Sequence, residues 1–325
     1  MELRKDYILD RYVIIAEQRT LRPDGFRRDG VVHPNNLSDD QIACHFCAGN
    51  EYLTPKEKGR FGNPWTIRWF ENKFPIVEPL GKYFIQTDNK YFTFSDAYGY
   101  HEVIAETNDH NKQLYDFNEV EIKNLLAVYK NRMQELYSKD HIQYVHLFKN
   151  HGKDAGTSVK HSHSQILALA HIPRLVREEL TVVNTYQTCP HCEILNIENA
   201  SYRRCFENNN FVAFTPYASR FNYEIWIFPK KHYASITELS DGVLLDLASI
   251  MKKVLSRLKD LNCSYNYYLH CTPKSYINNP STKTLHFHIE ITPRIQLWGG
   301  VEHGSETIVN QVSPETAARF YRGEQ

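Results

Sequence analysis

The sequence predicts an α+β protein made of two tandem units, each an antiparallel sheet with a long helix packed on it. Three observations carry this reading: an order of elements that occurs twice, two long segments with helical apolar spacing, and two strands that each bear a His-x-His triplet.

In the first half, Cys44-His45-Phe46-Cys47 precedes a strand-like stretch at 65–77, a hairpin-like stretch at 83–105, and Asn108-Asp109-His110. Apolar side chains then recur at Val120, Ile122, Leu125, Leu126, Val128, Tyr129, Met133, Leu136 and Tyr137. That spacing predicts a helix over 118–137. A strand at 144–148, a polar Gly-containing loop and a strand at 161–168 follow. The second half runs Cys189-x-x-Cys192, strands at 211–215 and 223–228, Lys231-His232, a helix over roughly 242–261, a strand at 265–269, a loop, and His286-Phe287-His288-Ile289-Glu290-Ile291. Agreement across six ordered elements predicts duplication of one unit. The expected division is 1–180 for a catalytic unit and 181–325 for its copy.

A chain of 325 residues is long for one core and comfortable for two. Its 38 basic and 38 acidic residues cancel, which argues against nucleic acid or an anionic membrane as partner. The opening Met1-Glu2-Leu3-Arg4-Lys5-Asp6 has no signal-peptide character, and no run approaches the roughly 20 apolar residues of a membrane span. A cytoplasmic protein is expected.

Four of the seven cysteines form the two Cys-x-x-Cys pairs. In a cytosolic chain such pairs read as metal knuckles ahead of disulfides. The competing reading is a redox pair, which the second pair, ahead of Glu193-Ile194-Leu195, would fit.

Strand side chains two apart share a face, so His161, His163 and Gln165 point one way, and His286, His288 and Glu290 form the matching row. Zinc in a structural site takes four thiolate or imidazole ligands. Each half supplies four: Cys44, Cys47, His110 and His161, then Cys189, Cys192, His232 and His286. Two filled structural zinc sites leave the chemistry to a neighbour, and His163 is free. Neutral imidazole is a nucleophile that can carry a covalent intermediate. Gln165 can donate to a phosphoryl oxygen whose charge grows in the transition state. In the second half Glu290 stands where Gln165 stands in the first, and a carboxylate there would repel phosphate, so His288 is expected to be unreactive.

At Gly156-Thr-Ser158-Val-Lys-His161-Ser-His163-Ser-Gln165 the chain resembles the galactose-1-phosphate uridylyltransferase family, a duplicated branch of the histidine-triad superfamily. The resemblance runs along nearly the whole length and implies two histidine-triad-like units. It puts the nucleophile on His163, the ligand histidine on His161, the knuckle on Cys44 and Cys47, and the Asp-His ligand on His110. Gly156 and Ser158 fall on its substrate-binding motif. Arg19 and Arg22 resemble its basic Arg-Pro segment contacting the nucleotide, and Asn72 its Asn-Lys-Phe-Pro segment at the uridine. Asn150 falls near the α-phosphate. Glu302, with Asn310 further on, resembles the element that binds the hexose and serves the neighbouring subunit, which implies a homodimer.

The implied activity is transfer of UMP between hexose 1-phosphates, from UDP-glucose to galactose 1-phosphate, with nucleotide sugar and sugar phosphate as partners. The family's best-known members carry proline where this chain has Ser162; serines there also occur in nucleoside-diphosphate-sugar phosphorylases, whose acceptor is inorganic phosphate. Other readings are a non-catalytic nucleotide-binding zinc protein and a phosphohydrolase with water as acceptor.

Overall fold

Each half of the chain lays down five antiparallel strands in the same spatial order, and the two sets join edge to edge. The computed structural model describes residues 1–21 and 44–324. Strands β1 (Glu2–Lys5) and β2 (Tyr12–Ile15) precede the first unit, which contains β3 (Glu57–Phe61), β4 (Ile67–Glu71), β5 (Gln86–Thr87), β6 (Thr93–Phe94) and β7 (Gly99–Ala105). Helix α1 (Glu119–Tyr137), β8 (Tyr144–His151) and β9 (His163–Leu169) complete that unit. Helices α2 (Arg174–Val183) and α3 (Pro190–Asn199) lead into β10 (Arg204–Glu207), β11 (Phe211–Phe214), β12 (Ile225–Pro229), α4 (Asp241–Leu261), β13 (Tyr265–His270), α5 (Lys274–Ile277) and β14 (His288–Pro293). Then come α6 (Gly300–Ser305), β15 (Ile308–Asn310) and α7 (Pro314–Arg322).

The large sheet runs β10-β11-β12-β14-β13-β8-β9-β7-β4-β3. Its centre is a seam where β13 pairs antiparallel with β8, from Tyr265 opposite His151 to Tyr268 opposite Phe148. From either edge inward the elements appear in the same chain order, which is the signature of the duplication. A smaller sheet joins the chain's two ends: β1 pairs with β2, and β15 runs parallel to β2.

The helices begin where their caps dictate. The Asn118 side chain accepts from Glu121 N at 3.0 Å while the Glu121 carboxylate accepts from Asn118 N at 2.9 Å, a reciprocal box that satisfies two orphan donors. Helix α4 starts at the Ser240 cap and stops at Asn262, which adopts the left-handed conformation with φ 46°. Helices α1 and α4 lie against one another on one face of the sheet. Ile122, Leu125, Met133 and Leu136 from α1 share a core with Leu247, Met251, Leu255 and Leu258 from α4 and with Ile166, Ala168, Ile289 and Ile291 from the sheet. Each such side chain contributes about 1.5–3 kcal/mol by leaving water.

Three expected strands are shorter than their patterns. The 65–77 stretch is strand only over Ile67–Glu71, because the Asn72 side chain turns back to accept from Phe74 N at 2.8 Å. Strands β9 and β14 begin at the second histidine of each triplet, so His161 and His286 lie one step ahead of them. The alternation still holds: Ile166 and Ala168 enter the helix-side core, leaving His163 and Gln165 on the opposite face. No helix among the described residues is long and apolar enough to cross a membrane.

Candidate active site and metal centres

The first knuckle, the loop after β7 and the lead-in to β9 bring Cys44, Cys47, His110 and His161 together, all four donor atoms within 4.8 Å of one another. Cys47 Sγ lies 3.2 Å from His110 Nδ1 and 3.6 Å from His161 Nδ1, and Cys44 Sγ lies 3.7 Å from His161 Nδ1. A tetrahedral zinc with its usual bond lengths has S···N edges of about 3.5 Å, so the donor set fits that ion. His161 Nε2–H donates to Thr107 O at 2.7 Å, which leaves Nδ1 as the ligating nitrogen. Arg68, fully buried, donates to His45 O at 3.1 Å and Thr54 Oγ1 at 3.0 Å and fastens the knuckle.

The second set repeats the arrangement. Cys192 Sγ lies 3.6 Å from His232 Nδ1 and 3.5 Å from His286 Nδ1, while His286 Nε2–H donates to Pro229 O at 2.8 Å. Cys189 caps α3 and Pro190 is its first residue. Burial, reinforced by the partner cysteine, pushes the Cys47 and Cys192 thiols up to about 12. A redox pair needs the reverse shift from the protein alone, whereas a bound metal ionises its own cysteine ligands. Helix α2, where a redox motif wants a strand, also precedes the second knuckle, so metal binding is the better account of both pairs.

His163 sits beside the first metal set and is 7% exposed. Its Nδ1 lies 2.8 Å from the carbonyl of His161, and since a carbonyl only accepts, Nδ1 carries the proton. The lone pair is therefore on Nε2. Burial, helped by the nearby Lys149 charge, pulls the imidazole down to about 4, so it is neutral at neutral pH. The Phe46 ring meets it edge-on at 5.3 Å.

Two residues along the strand, Gln165 Oε1 accepts from His101 Nε2 at 2.8 Å and from Asn72 Nδ2 at 3.3 Å. That fixes the orientation of the amide and leaves its Nε2 as the donating end. The loop after β8 holds Gly152 at φ 81° and Gly156 at φ 84°, values that favour glycine. A Cβ on Gly152 would come within 2.2 Å of Ser264 Oγ, so the second unit presses directly on this loop. Asn266, also from the second unit, donates to Asn150 Oδ1 at 2.8 Å and Ala155 O at 2.9 Å. Asn150, Gly152, Thr157, Lys160 and His163 line one small cleft.

Of the expected residues, Asn72 meets Gln165, Asn150 shares a cleft with His163, and each of the two four-donor sets is brought together. Gly156 and Ser158 lie exposed on the loop beside the cleft. Arg19 stands on a short 3-10 helix after β2 with no described contact to His163, and Arg22 lies outside the described residues. Glu302 is spent on its own helix, accepting from Gly299 N at 2.8 Å. Asn310 is fully buried and bridges Ser219 O, Phe221 O and Val312 N. Within this chain neither has a described contact with the cleft.

The second unit's counterpart is a small cleft crowded by rings. His288 is stacked between Phe228 at 4.3 Å and His270 at 4.5 Å, and the turn at residues 6–11 covers the neighbouring space. Glu290 forms an ion pair with Arg220 and accepts from Tyr268 at 2.7 Å, so its charge is neutralised inside the protein; the expected repulsion of phosphate gives way to plain burial. His270, His288 and Glu290 form a third cluster with metal-ligating atoms within 4.8 Å.

Sequence reading missed His101, Phe46, Glu106, Lys149, Ser264 and Asn266. The readable signal was Lys149 alone, a charge on the face that Val145 and Leu147 give to the core.

Comparison with known proteins agrees with this geometry. The profile for galactose-1-phosphate uridyl transferase, N-terminal domain, matches residues 2–173, and that for the C-terminal domain matches 142–296. The chain is 32% identical to the ADP-glucose phosphorylase of Arabidopsis thaliana, over 99% of this chain and 92% of that protein. It is 27% identical to the galactose-1-phosphate uridylyltransferase of Thermotoga maritima, over 99% and 98% of the two chains. The solved Arabidopsis ADP-glucose phosphorylase with bound ADP-glucose has a TM-score of 0.84 at 30% identity, covering 100% of this chain and 99% of that one. With these matches spanning both halves, the chain belongs to the galactose-1-phosphate uridyl transferase family of nucleotidyltransferases.

Proposed function

We propose that the chain transfers a nucleotidyl group from a nucleoside diphosphate hexose to a phosphate-bearing acceptor through a covalent nucleotidyl-His163. The observation that carries this reading is the tautomer of His163, with its proton held on Nδ1 by His161 O and its lone pair on Nε2. In the first displacement Nε2 forms a bond to the α-phosphorus and the bond to hexose 1-phosphate breaks. The leaving group is already an anion, so no proton has to reach it. As the ring becomes cationic, its Nδ1–H bond to the His161 carbonyl strengthens. Gln165 Nε2 donates to the oxygens of the α-phosphate, and the loop from Asn150 to Ser158 supplies backbone donors. In the second displacement an acceptor oxygen takes the phosphorus and neutral imidazole returns. Ping-pong kinetics follow.

Each four-donor set would hold one zinc. When bound, the metal supplies a closed structural tie with no position for a reacting water. Cys44, Cys47, His110 and His161 then fix the segment that carries His163.

The first acceptor reading is galactose 1-phosphate, with UDP-glucose as donor. The second is inorganic phosphate with an ADP- or UDP-sugar, and it is favoured by the 32% identity to an ADP-glucose phosphorylase. The reading also takes the enzyme as cytoplasmic and homodimeric. Nine large apolar side chains between residues 74 and 94 are 44–78% exposed, which supports coverage by a second copy. Sedimentation at micromolar concentration checks this, and a monomer would refute it.

The deciding experiment mixes the enzyme with UDP-glucose or ADP-glucose and looks for nucleotide mass on His163. No adduct with either donor sinks the transferase reading in favour of a binding protein. Adding galactose 1-phosphate, phosphate or water alone to the adduct then identifies the acceptor, and release by water alone would mark a phosphohydrolase.

A further inference from the structure

Because the two halves share one fold, each is an internal control for what that fold requires. Gln165 lies opposite Val103 and Phe148 in the sheet, and Glu290 lies opposite Trp226 and Tyr268. Stepping along the strands from these pairs matches Ser162 with Phe287, Lys149 with Leu269, and Glu106 with Pro229. In the second half all three positions are apolar and buried, and Leu269 and Phe287 belong to the main core. In the first half the same three positions hold a hydroxyl, an ammonium and a carboxylate, exposed by 2%, 1% and 1%.

These three groups are tied together. Lys149 Nζ donates to Glu106 Oε2 at 2.5 Å, to Ser162 Oγ at 3.0 Å and to the His163 carbonyl at 3.0 Å. Ser162 Oγ donates to Glu106 Oε2 at 2.6 Å, and Glu106 N donates to Ser162 O at 3.0 Å. Tyr129 from α1 donates to Glu106 Oε1 at 2.9 Å. Glu106 is pushed up by burial, but the Lys149 charge and these donors outweigh that and hold it below the usual carboxylate range.

A buried ion pair is a poor way to stabilise a protein, since desolvation offsets its attraction and an apolar replacement is often as good or better. The second half carries that apolar replacement and keeps the same strands. The polar set is therefore in excess of what folding needs, and it stands in the half whose second histidine meets the Phe46 ring edge-on, whereas His288 is stacked between Phe228 and His270. We infer that Lys149, Glu106 and Ser162 are positioning residues for His163, gripping the strand from behind so that Nε2 is held in line for attack. This rests on His163 being the nucleophile.

The test is single-turnover labelling of His163 by the nucleotide sugar, in the parent and in two variants. Lys149→Leu with Glu106→Leu removes both charges together, so neither is left unpaired; the Ser162 hydroxyl loses its two partners. It should fold with parental zinc content and a melting temperature close to the parent's. Its labelling rate should fall about 100-fold, as misplacement of a reacting group does, with donor KM little changed. Ser162→Ala keeps the ion pair and should label about 10-fold more slowly. Parental labelling rates in both variants would overturn the inference while leaving the nucleophile in place. A parent that is never labelled would instead overturn the reading on which the inference rests. If the double variant does not fold, Ser162→Ala decides alone, by slow labelling at unchanged stability or by a parental rate.

Discussion

A histidine proposed to attack phosphorus must arrive unprotonated and aimed, and at His163 both conditions come from groups outside the proposed reaction. The His161 carbonyl sets the tautomer and burial keeps the ring neutral. His163→Ala should abolish the mass adduct and lower turnover by at least about 10⁴-fold, since a covalent nucleophile has no substitute. Its zinc content should match the parent's, because His161 and not His163 belongs to the four-donor set. Gln165→Glu puts a carboxylate where the second unit has Glu290, but without an Arg220 to neutralise it. Turnover should fall about 10²–10³-fold, the usual cost of losing one transition-state donor, and steady-state kinetics check this. That His163 and Gln165 share a face was legible because a two-residue spacing on a strand fixes it. His101 was not: it reaches Gln165 from β7 across 64 residues of sequence, a distance no local pattern reports.

Helices were the most legible elements, since caps and apolar spacing are both local. The predicted 118–137 helix is α1, and Asn118→Ala should cost it about 1 kcal/mol, read as a lower urea midpoint at unchanged slope. Strand ends were less legible, because pairing partners set them. β9 starts at His163 only because β7 runs out at Ala105 opposite it. The knuckles were readable as spacing, but their ligand geometry depends on loops that meet only in the fold. With one zinc proposed in each four-donor set, Cys47→Ser should reduce bound metal from two to one per chain by elemental analysis and lower the melting temperature, since metal binding and folding are linked. The second site should stay filled.

Across the whole molecule the buried histidines make stability depend on acid. His151, stacked on Tyr265 at 4.7 Å, is pulled down to about 3 by burial and by the Lys149 charge. Between that value and the ordinary 6.5 the unfolded chain binds a proton that the folded one refuses, so stability rises with pH. The melting temperature should therefore fall as pH drops from about 6.5 toward 4, and a flat profile by calorimetry would contradict this. The duplication was legible from element order, whereas the joining of both sheets into one was not, because sequence order does not say which edges meet. That seam also has a consequence during synthesis. β13 is made more than a hundred residues after β8, so for roughly ten seconds the nascent first unit presents a strand with nothing beside it. Another nascent copy offers the same edge in the same interval. Swapped or aggregated chains should therefore originate there, at the line that later disappears into the middle of the sheet.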